Sequence, residues 1–269
     1  VARHLSHARR AAGLISQDTQ ALSVTRLDSL PLSDLILITT PDDAIETTSA
    51  CLASSIANTG RKGQSRVALH CSGALSSDIL SRLRDAYFSV GSMHPLVSIS
   101  DPLQGAELLR GAYYCVEGDA AAVRLARKVV RDLEGQSFSI NRKDKALYHA
   151  AAVMASGHMV ALFDIALEML ARCGLTEKRA QAVLLPLVES TLKNLSARDP
   201  SHALTGTFAR ADTATMRRHL DALRSGAPAD ALAAYRLLGR RSLRLAEKIG
   251  VDAEALKEIR RVLEEKVED

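Results

Sequence analysis

The pattern of apolar and polar positions changes character part-way along the chain. In the first half, short apolar runs alternate with amphipathic stretches. Asp34-Leu-Ile-Leu-Ile-Thr39 is a continuous apolar run of strand length, the mark of a strand buried in a parallel sheet. Pro41-Asp42-Asp43 then opens a helix, with aspartate as its cap and Ile45, Leu52 and Ile56 along one face. Asn58 to Ser65 reads as a polar loop, Arg66 to His70 as the next strand, Cys71-Ser72-Gly73 as a tight turn and Ser76 to Ala86 as a helix. Strands near Tyr87–Ser92, Ala112–Glu117 and Gln136–Ile140 follow, with a helix from Asp119 to Leu133 between the last two. A helix from Val1 to Ala12, stopped by Gly13, precedes them all. Strand–helix alternation of this kind builds a doubly wound α/β sheet.

After Asn141 the alternation ends. Asp144 to Arg172 reads as one long helix, Thr176 to Ala197 as a second with a kink at Pro186, and Asp212–Leu223, Pro228–Ile249 and Asp252–Glu268 complete an all-helical half. A short junction near Asn141 therefore divides an α/β domain over 1–141 from an all-α domain over 142–269.

Composition narrows the function classes. The 269 residues are 47% hydrophobic and 25% charged, the balance of an ordinary globular protein rather than a disordered one. The longest apolar stretch, Ala150 to Phe163, is interrupted by Ser156, Gly157 and His158, so no membrane helix is expected. The opening VARHLSHARR has no apolar core behind its basic residues, which points to a cytoplasmic protein without a secretory signal. A net charge of +4, 3% aromatic residues and no Trp argue against a nucleic-acid binder. Cys51, Cys71, Cys115 and Cys173 form no C-x-x-C pair, so no metal site is expected, and their apolar neighbours suggest buried, reduced thiols.

Several segments, taken together, resemble a known family. Val1-Ala-Arg-His-Leu5 followed by Ala11-Ala12-Gly13 matches the helix after a G-x-G-x-x-G/A phosphate loop, with Ala2 at the third glycine position. Leu32-Ser-Asp34 through Thr40-Pro41-Asp-Asp-Ala-Ile45, His70-Cys-Ser-Gly73-Ala-Leu75, Gly91-Ser-Met-His94-Pro-Leu96 and Leu147-Tyr-His149-Ala-Ala-Ala-Val153 come in order. Leu204-Thr-Gly206, Arg210-Ala-Asp212 and His219-Leu220 complete the set. The chain resembles a bacterial two-domain family in which a Rossmann-like half joins a helical domain of unknown function, similar to deazaflavin-dependent NADP oxidoreductases. It is more distantly similar to pyrroline-5-carboxylate reductase, prephenate dehydrogenase and the beta-hydroxyacid dehydrogenases. The resemblance implies a Rossmann-like doubly wound sheet followed by a helical domain like the C-terminal part of 6-phosphogluconate dehydrogenase. Departures from the pattern are Gly157 where Asn is usual, Thr207 for Pro, Ala211 for Gly, and a first strand and two leading glycines that would lie before Val1.

Candidate chemistry follows from the residues and this resemblance. The resemblance implies NADP or NAD as cofactor, with Val1 and Ala2 at the pyrophosphate end and Thr39, Thr40, Pro41 and Asp42 on the ribose side. Gly73 permits close backbone approach and Ser72 can hydrogen-bond a nicotinamide amide or a substrate carboxylate; the same residues read equally as a helix-opening turn. His94, held extended by Pro95, is a candidate proton carrier or a strand-capping histidine. Lys145 and His149 share a helix face with Ser156 three turns on, a polar stripe among small and apolar neighbours. Arg210 could grip a carboxylate, while Asp212 with Thr215 reads as a helix cap. These assignments describe an NAD(P)-dependent oxidoreductase acting on a small acidic keto, imino or hydroxy substrate. His149, Lys145 and His94 form its catalytic set, and Ser72, Gly73, Ser156 and Arg210 form its substrate set. The competing reading is a non-catalytic nucleotide- or metabolite-binding scaffold, favoured by the missing glycines and Gly157. Apolar residues spread around the 144–172 helix, together with the resemblance, imply a homodimer through the helical half.

Overall fold

The computed structural model describes residues 1–30, 33–57, 66–101 and 103–265. The loop expected over Asn58–Ser65 and the last residues of the final expected helix lie outside the described residues. The chain divides into two compact units, Val1–Ser156 and Gly157–Asp269, a division that falls at Ser156 rather than near Asn141.

The first unit opens with helix α1 (Leu5–Ile15), which runs straight through Gly13 instead of stopping there. Strand β1 (Leu35–Ile38), helix α2 (Asp42–Ala57), strand β2 (Arg66–His70), a 3-10 turn at Ser77–Leu80 and helix α3 (Ser81–Asp85) follow. Next come β3 (Phe88–Pro95), α4 (Gly105–Leu109), β4 (Tyr113–Gly118), α5 (Ala120–Asp132), β5 (Gln136–Phe138) and α6 (Lys145–Ala155). The five strands lie in chain order in one sheet. The β1–β2, β2–β3 and β4–β5 pairs are parallel, and β3–β4 is antiparallel. Between β3 and β4 the chain forms only the five-residue α4, not a helix long enough to cross the sheet face, and β4 returns alongside β3.

All five residues of β2 are buried, as a strand covered on both faces requires. Ala68 joins Ile38, Ile45, Leu52, Leu80, Leu83, Phe88 and Val90 on the side of α2 and α3. Val67 and Leu69, one residue out of phase, join Met93, Tyr114, Val116, Ala122, Ala126 and Val130 on the side of α5. Gly91 lies where α5 meets the sheet, and a Cβ there would stand 2.8 Å from Leu69 Cδ2 and 3.0 Å from Ala122 Cβ. Gly91→Ala should therefore destabilise the protein by about 1–3 kcal/mol through overpacking, read as a lower urea midpoint at unchanged m-value.

The single long helix expected from Asp144 to Arg172 is two helices. At Ser156 the backbone leaves helical geometry (φ −125°, ψ −75°), and α7 (Gly157–Arg172) begins anew. By length and composition alone, the 31-residue stretch Arg142–Arg172 is apolar enough to cross a membrane, with mean hydropathy 1.7 in its most apolar window. That corrects the expectation that no segment qualifies.

The second unit continues with α8 (Glu177–Ala197), continuous through Pro186, then α9 (Pro200–Ala203), α10 (Gly206–Ala209), α11 (Thr213–Gly226), α12 (Ala231–Lys248) and α13 (Ala253–Glu264). Met216, Leu220, Leu243, Ala246, Leu256, Ile259, Val262 and Leu263 from α11, α12 and α13 form its core. Asp212 is the cap of α11: its carboxylate accepts from Thr215 N–H at 3.0 Å, and that bond holds its carboxyl below the usual range. The α7–α8 pair lies outside this core, and among its described residues Ala180 alone is buried.

Candidate functional site

The first unit gathers its polar chemistry at the carboxyl ends of β1, β2 and β3, the edge where open α/β sheets bind ligands. Asp42, the first residue of α2, accepts a hydrogen bond from Ser72 Oγ at 2.7 Å. Ser72 Oγ in turn accepts from Ala74 N–H at 3.2 Å and Leu75 N–H at 3.1 Å, which fixes the turn after β2. Ser72 N–H donates to His70 Nδ1 at 3.1 Å, so Nδ1 carries no proton and Nε2–H donates to Ser76 O at 3.2 Å. His70 is fully buried, and that burial lowers its imidazole to about 4.

Lys145 begins α6 and is 1% exposed. Its ammonium donates to Ser72 O and to Ser92 Oγ, both at 3.0 Å, joining the ends of β2 and β3. Burial lowers its pKa, opposed by Cys115, Glu117 and Asp42 nearby. Lys145 is thus a brace inside the site, its ammonium enclosed between the ends of β2 and β3.

His94 extends two residues beyond Ser92, because β3 runs on to Pro95. Its Nδ1 lies 2.8 Å from Tyr148 Oη. The rings of His94 and His149 meet edge to face, with centroids 5.7 Å apart. Both stand directly over Gly73: a Cβ there would collide with His149 Cδ2 and lie 2.8 Å from His94 Nε2. Burial is the largest influence on His94, followed by Lys145 and His149, and its imidazole drops to about 4. Just beyond β1, Thr40 Oγ1 is buried without a partner among the described residues. On the β4 side, Glu117 accepts from Ser77 N–H and Ser77 Oγ, both at 2.8 Å, while Arg142 pairs with Asp78 and Asp119. These bonds anchor the chain just ahead of α6.

The structure brings Asp42, Ser72, Gly73, His94, Lys145 and His149 into one cluster. Thr39 and Pro41 are exposed beside Thr40. Ala2 forms a bridge to Ser23, with Val1 exposed before it, and no side chain caps the start of α1. Ser156 is exposed at the break after α6, about 16 Å along the helix axis from Lys145. Arg210 is exposed at the end of α10 in the second unit. Among the described residues no group of His, Cys, Asp or Glu could hold a metal ion. Cys115 is buried and Cys71 half-buried, but Cys51 and Cys173 are exposed, contrary to the expectation of four buried thiols.

Sequence reasoning missed Tyr148, Ser92 and the structural part of His70. Two signals could have found the first two: Ser92 and His94 share a strand face, and Tyr148 is one helical turn after Lys145.

Comparison with solved structures bears on the architecture. Protein TM1727 from Thermotoga maritima superposes with a TM-score of 0.70 at 23% identity, covering 92% of this chain and 89% of that one. Protein BF3122 from Bacteroides fragilis, named as a candidate NADP oxidoreductase, gives 0.62 at 18% identity, covering 91% and 86%. A 1-pyrroline-5-carboxylate reductase from Streptococcus pyogenes gives 0.51 at 16% identity, covering 96% and 84%. The fold is Rossmann-like. Residues 112–242, from β4 into α12, match the family model DUF2520, a domain of unknown function. No curated protein matches the chain.

Proposed function

We propose that the protein is an NAD(P)-dependent oxidoreductase acting on a small acidic keto, imino or hydroxy substrate. The observation that carries this reading is the cluster over Gly73: two imidazoles, a tyrosine and a buried lysine converge where a Rossmann-like fold binds its ligands. The buried Thr40 hydroxyl, without a partner among the described residues, suits a nicotinamide dinucleotide. Thr39, Thr40, Pro41 and Asp42 would hold its ribose side, and Val1 and Ala2 with the uncapped start of α1 its pyrophosphate. When bound, the reduced nucleotide would supply a hydride to a keto or imino carbon, and the oxidised nucleotide would accept one from a hydroxy carbon. In this reading His94 orients substrate and His149 handles the proton, while Ser72, its hydroxyl taken up by Asp42, Ala74 and Leu75, and Lys145 hold the ends of β2 and β3 in place.

Calorimetric titration with NADPH and NADH tests the reading. Saturable binding of either is the expected result, and no binding up to millimolar concentration would overturn it. His149→Ala should abolish NADPH-dependent reduction of a responsive substrate while leaving nucleotide affinity little changed. A protein that binds nucleotide but turns over none of a panel of keto, imino and hydroxy acids would be the scaffold instead.

The same reading includes a two-fold homodimer. The α7–α8 pair displays Val160, Leu162, Val183, Leu185, Leu187 and Leu192 to solvent in a single chain. Asp164 and Glu168 within α7 make lipid a costly cover for that surface, and a second copy presenting the same face is the better match. Light scattering at micromolar concentration should give twice the 28.9 kDa chain mass, and a mass near 28.9 kDa would refute the dimer.

A further inference from the structure

We propose that Tyr148 is a positioning residue that fixes His94 as the neutral Nε2–H tautomer, so that His94 presents a hydrogen-bond donor, not a base, above Gly73. The proposal rests on the reading of this cluster as a substrate site and gives one of its members a definite polarity.

The hydrogen-bond inventory decides the direction. A neutral imidazole has one donor nitrogen and one acceptor nitrogen. His94 Nδ1 meets Tyr148 Oη at 2.8 Å, and neither atom has a second hydrogen bond among the described residues. If Nδ1 donated, the half-buried phenolic proton would have no protein acceptor among the described residues. If the phenol donates, both atoms are satisfied, and the ring proton sits on Nε2. That nitrogen has no protein partner among the described residues and stands over Gly73, beside the His149 ring.

The surroundings keep both groups in the required state. Burial pushes the Tyr148 phenol up, so it remains an O–H. For His94, burial, Lys145, His149 and His70 all disfavour a second proton, and Asp42 alone among its facing charges favours one. The imidazole is therefore neutral throughout the physiological range. The two histidines at this edge, His70 buried and His94 half-buried, then share a tautomer but differ in use: His70 gives its Nε2–H to Ser76 O, and His94 keeps its own free of protein partners among the described residues. A free donor in this position takes an acceptor. Carbonyl and carboxylate oxygens fit it, whereas an iminium N–H would face it donor to donor.

Nuclear magnetic resonance of the full chain labelled with 15N-histidine reads the tautomer directly. His94 is assigned by the resonances lost in His94→Gln. At pH 7 the wild-type spectrum should show Nδ1 without a proton and Nε2 with one. In Tyr148→Phe, which removes only a hydroxyl, the Nδ1 resonance should move further from the protonated range as its hydrogen bond disappears, with the His70 signals unchanged. A wild-type spectrum with the proton on Nδ1 would overturn the proposal, as would an Nδ1 resonance that is the same in Tyr148→Phe. The wild-type result stands even if Tyr148→Phe fails to fold. Failure of NADPH and NADH to bind would remove the oxidoreductase reading and leave the tautomer result intact, so the two can fail separately.

Discussion

Gly73→Ala is expected to lower NADPH-dependent reduction by on the order of 100-fold and to cost about 1–3 kcal/mol of stability. The added methyl would collide with His149 Cδ2 and stand 2.8 and 2.9 Å from His94 Nε2 and Cε1. Neither ring can retreat freely. His94 is tied to Tyr148, and His149 rides on α6, whose first residue is bound to the ends of β2 and β3 through Lys145. In the proposed reading, a shift of either ring by about an ångström misplaces the groups that orient and protonate the substrate. Gly13→Ala is the control, because nothing lies within 4 Å of a Cβ there and the position is inside α1. It should leave turnover unchanged and stabilise the helix by roughly 0.5–1 kcal/mol. NADPH absorbance and urea unfolding measure both. Wild-type turnover in Gly73→Ala would mean that the two imidazoles do not act at this point.

The strands were legible because their apolar runs are short and bounded. Leu35–Ile38 and Arg66–His70 fall where the pattern puts them, within a residue. The all-helical character after Asn141 was equally clear. Less legible were features decided by single residues or by distant partners. The break at Ser156 lies inside a stretch whose periodicity is helical on both sides, so pattern alone runs through it. Gly13 looked like a stop, yet the helix passes it because glycine costs a helix only about 1 kcal/mol relative to alanine. The antiparallel β4 could not be read from its own residues, since a strand's direction is set by its connection.

The site shows the same division. His94, Ser72 and Gly73 were visible as polar or flexible residues near strand ends, and His149 as a polar residue on a helix face. What each one does depends on partners far away in sequence. Lys145 reaches Ser72 across 73 positions and Ser92 across 53, and no local pattern shows that its amine is enclosed. Nothing local marks Tyr148, because its hydroxyl finds its partner only where β3 continues past Ser92 to carry His94 within 2.8 Å of it.

Those enclosed imidazoles should make the fold acid-labile well above the range in which carboxylates are neutralised. His70 and His94 both drop to about 4, against about 6.5 in an unfolded chain. Below pH 6.5 the unfolded state takes up these protons while the folded state does not, so unfolding gains free energy as the pH falls. The contribution is complete above pH 6.5 and is lost progressively down to about pH 4. At about 1.4 kcal/mol per pH unit, buried His70 costs on the order of 3 kcal/mol across that window, and half-buried His94, screened in part by solvent, costs less. Two such groups remove an amount comparable to a large share of the roughly 5–15 kcal/mol that holds a typical domain together. Urea midpoints measured between pH 7 and 5 should therefore fall steeply. In His70→Gln the amide can still donate to Ser76 O and accept from Ser72 N–H, the two bonds the imidazole makes now. That variant cannot be protonated, so it should be less stable at pH 7 by the lost packing yet lose only about half as much as wild type on acidification. His94→Gln should flatten the curve by a smaller amount, because His94 is only half-buried, and the double variant should remove most of the slope. A wild-type midpoint that stays level from pH 7 to 5, or a slope that the two variants leave unchanged, would show that these imidazoles are solvated enough to accept protons in the folded state.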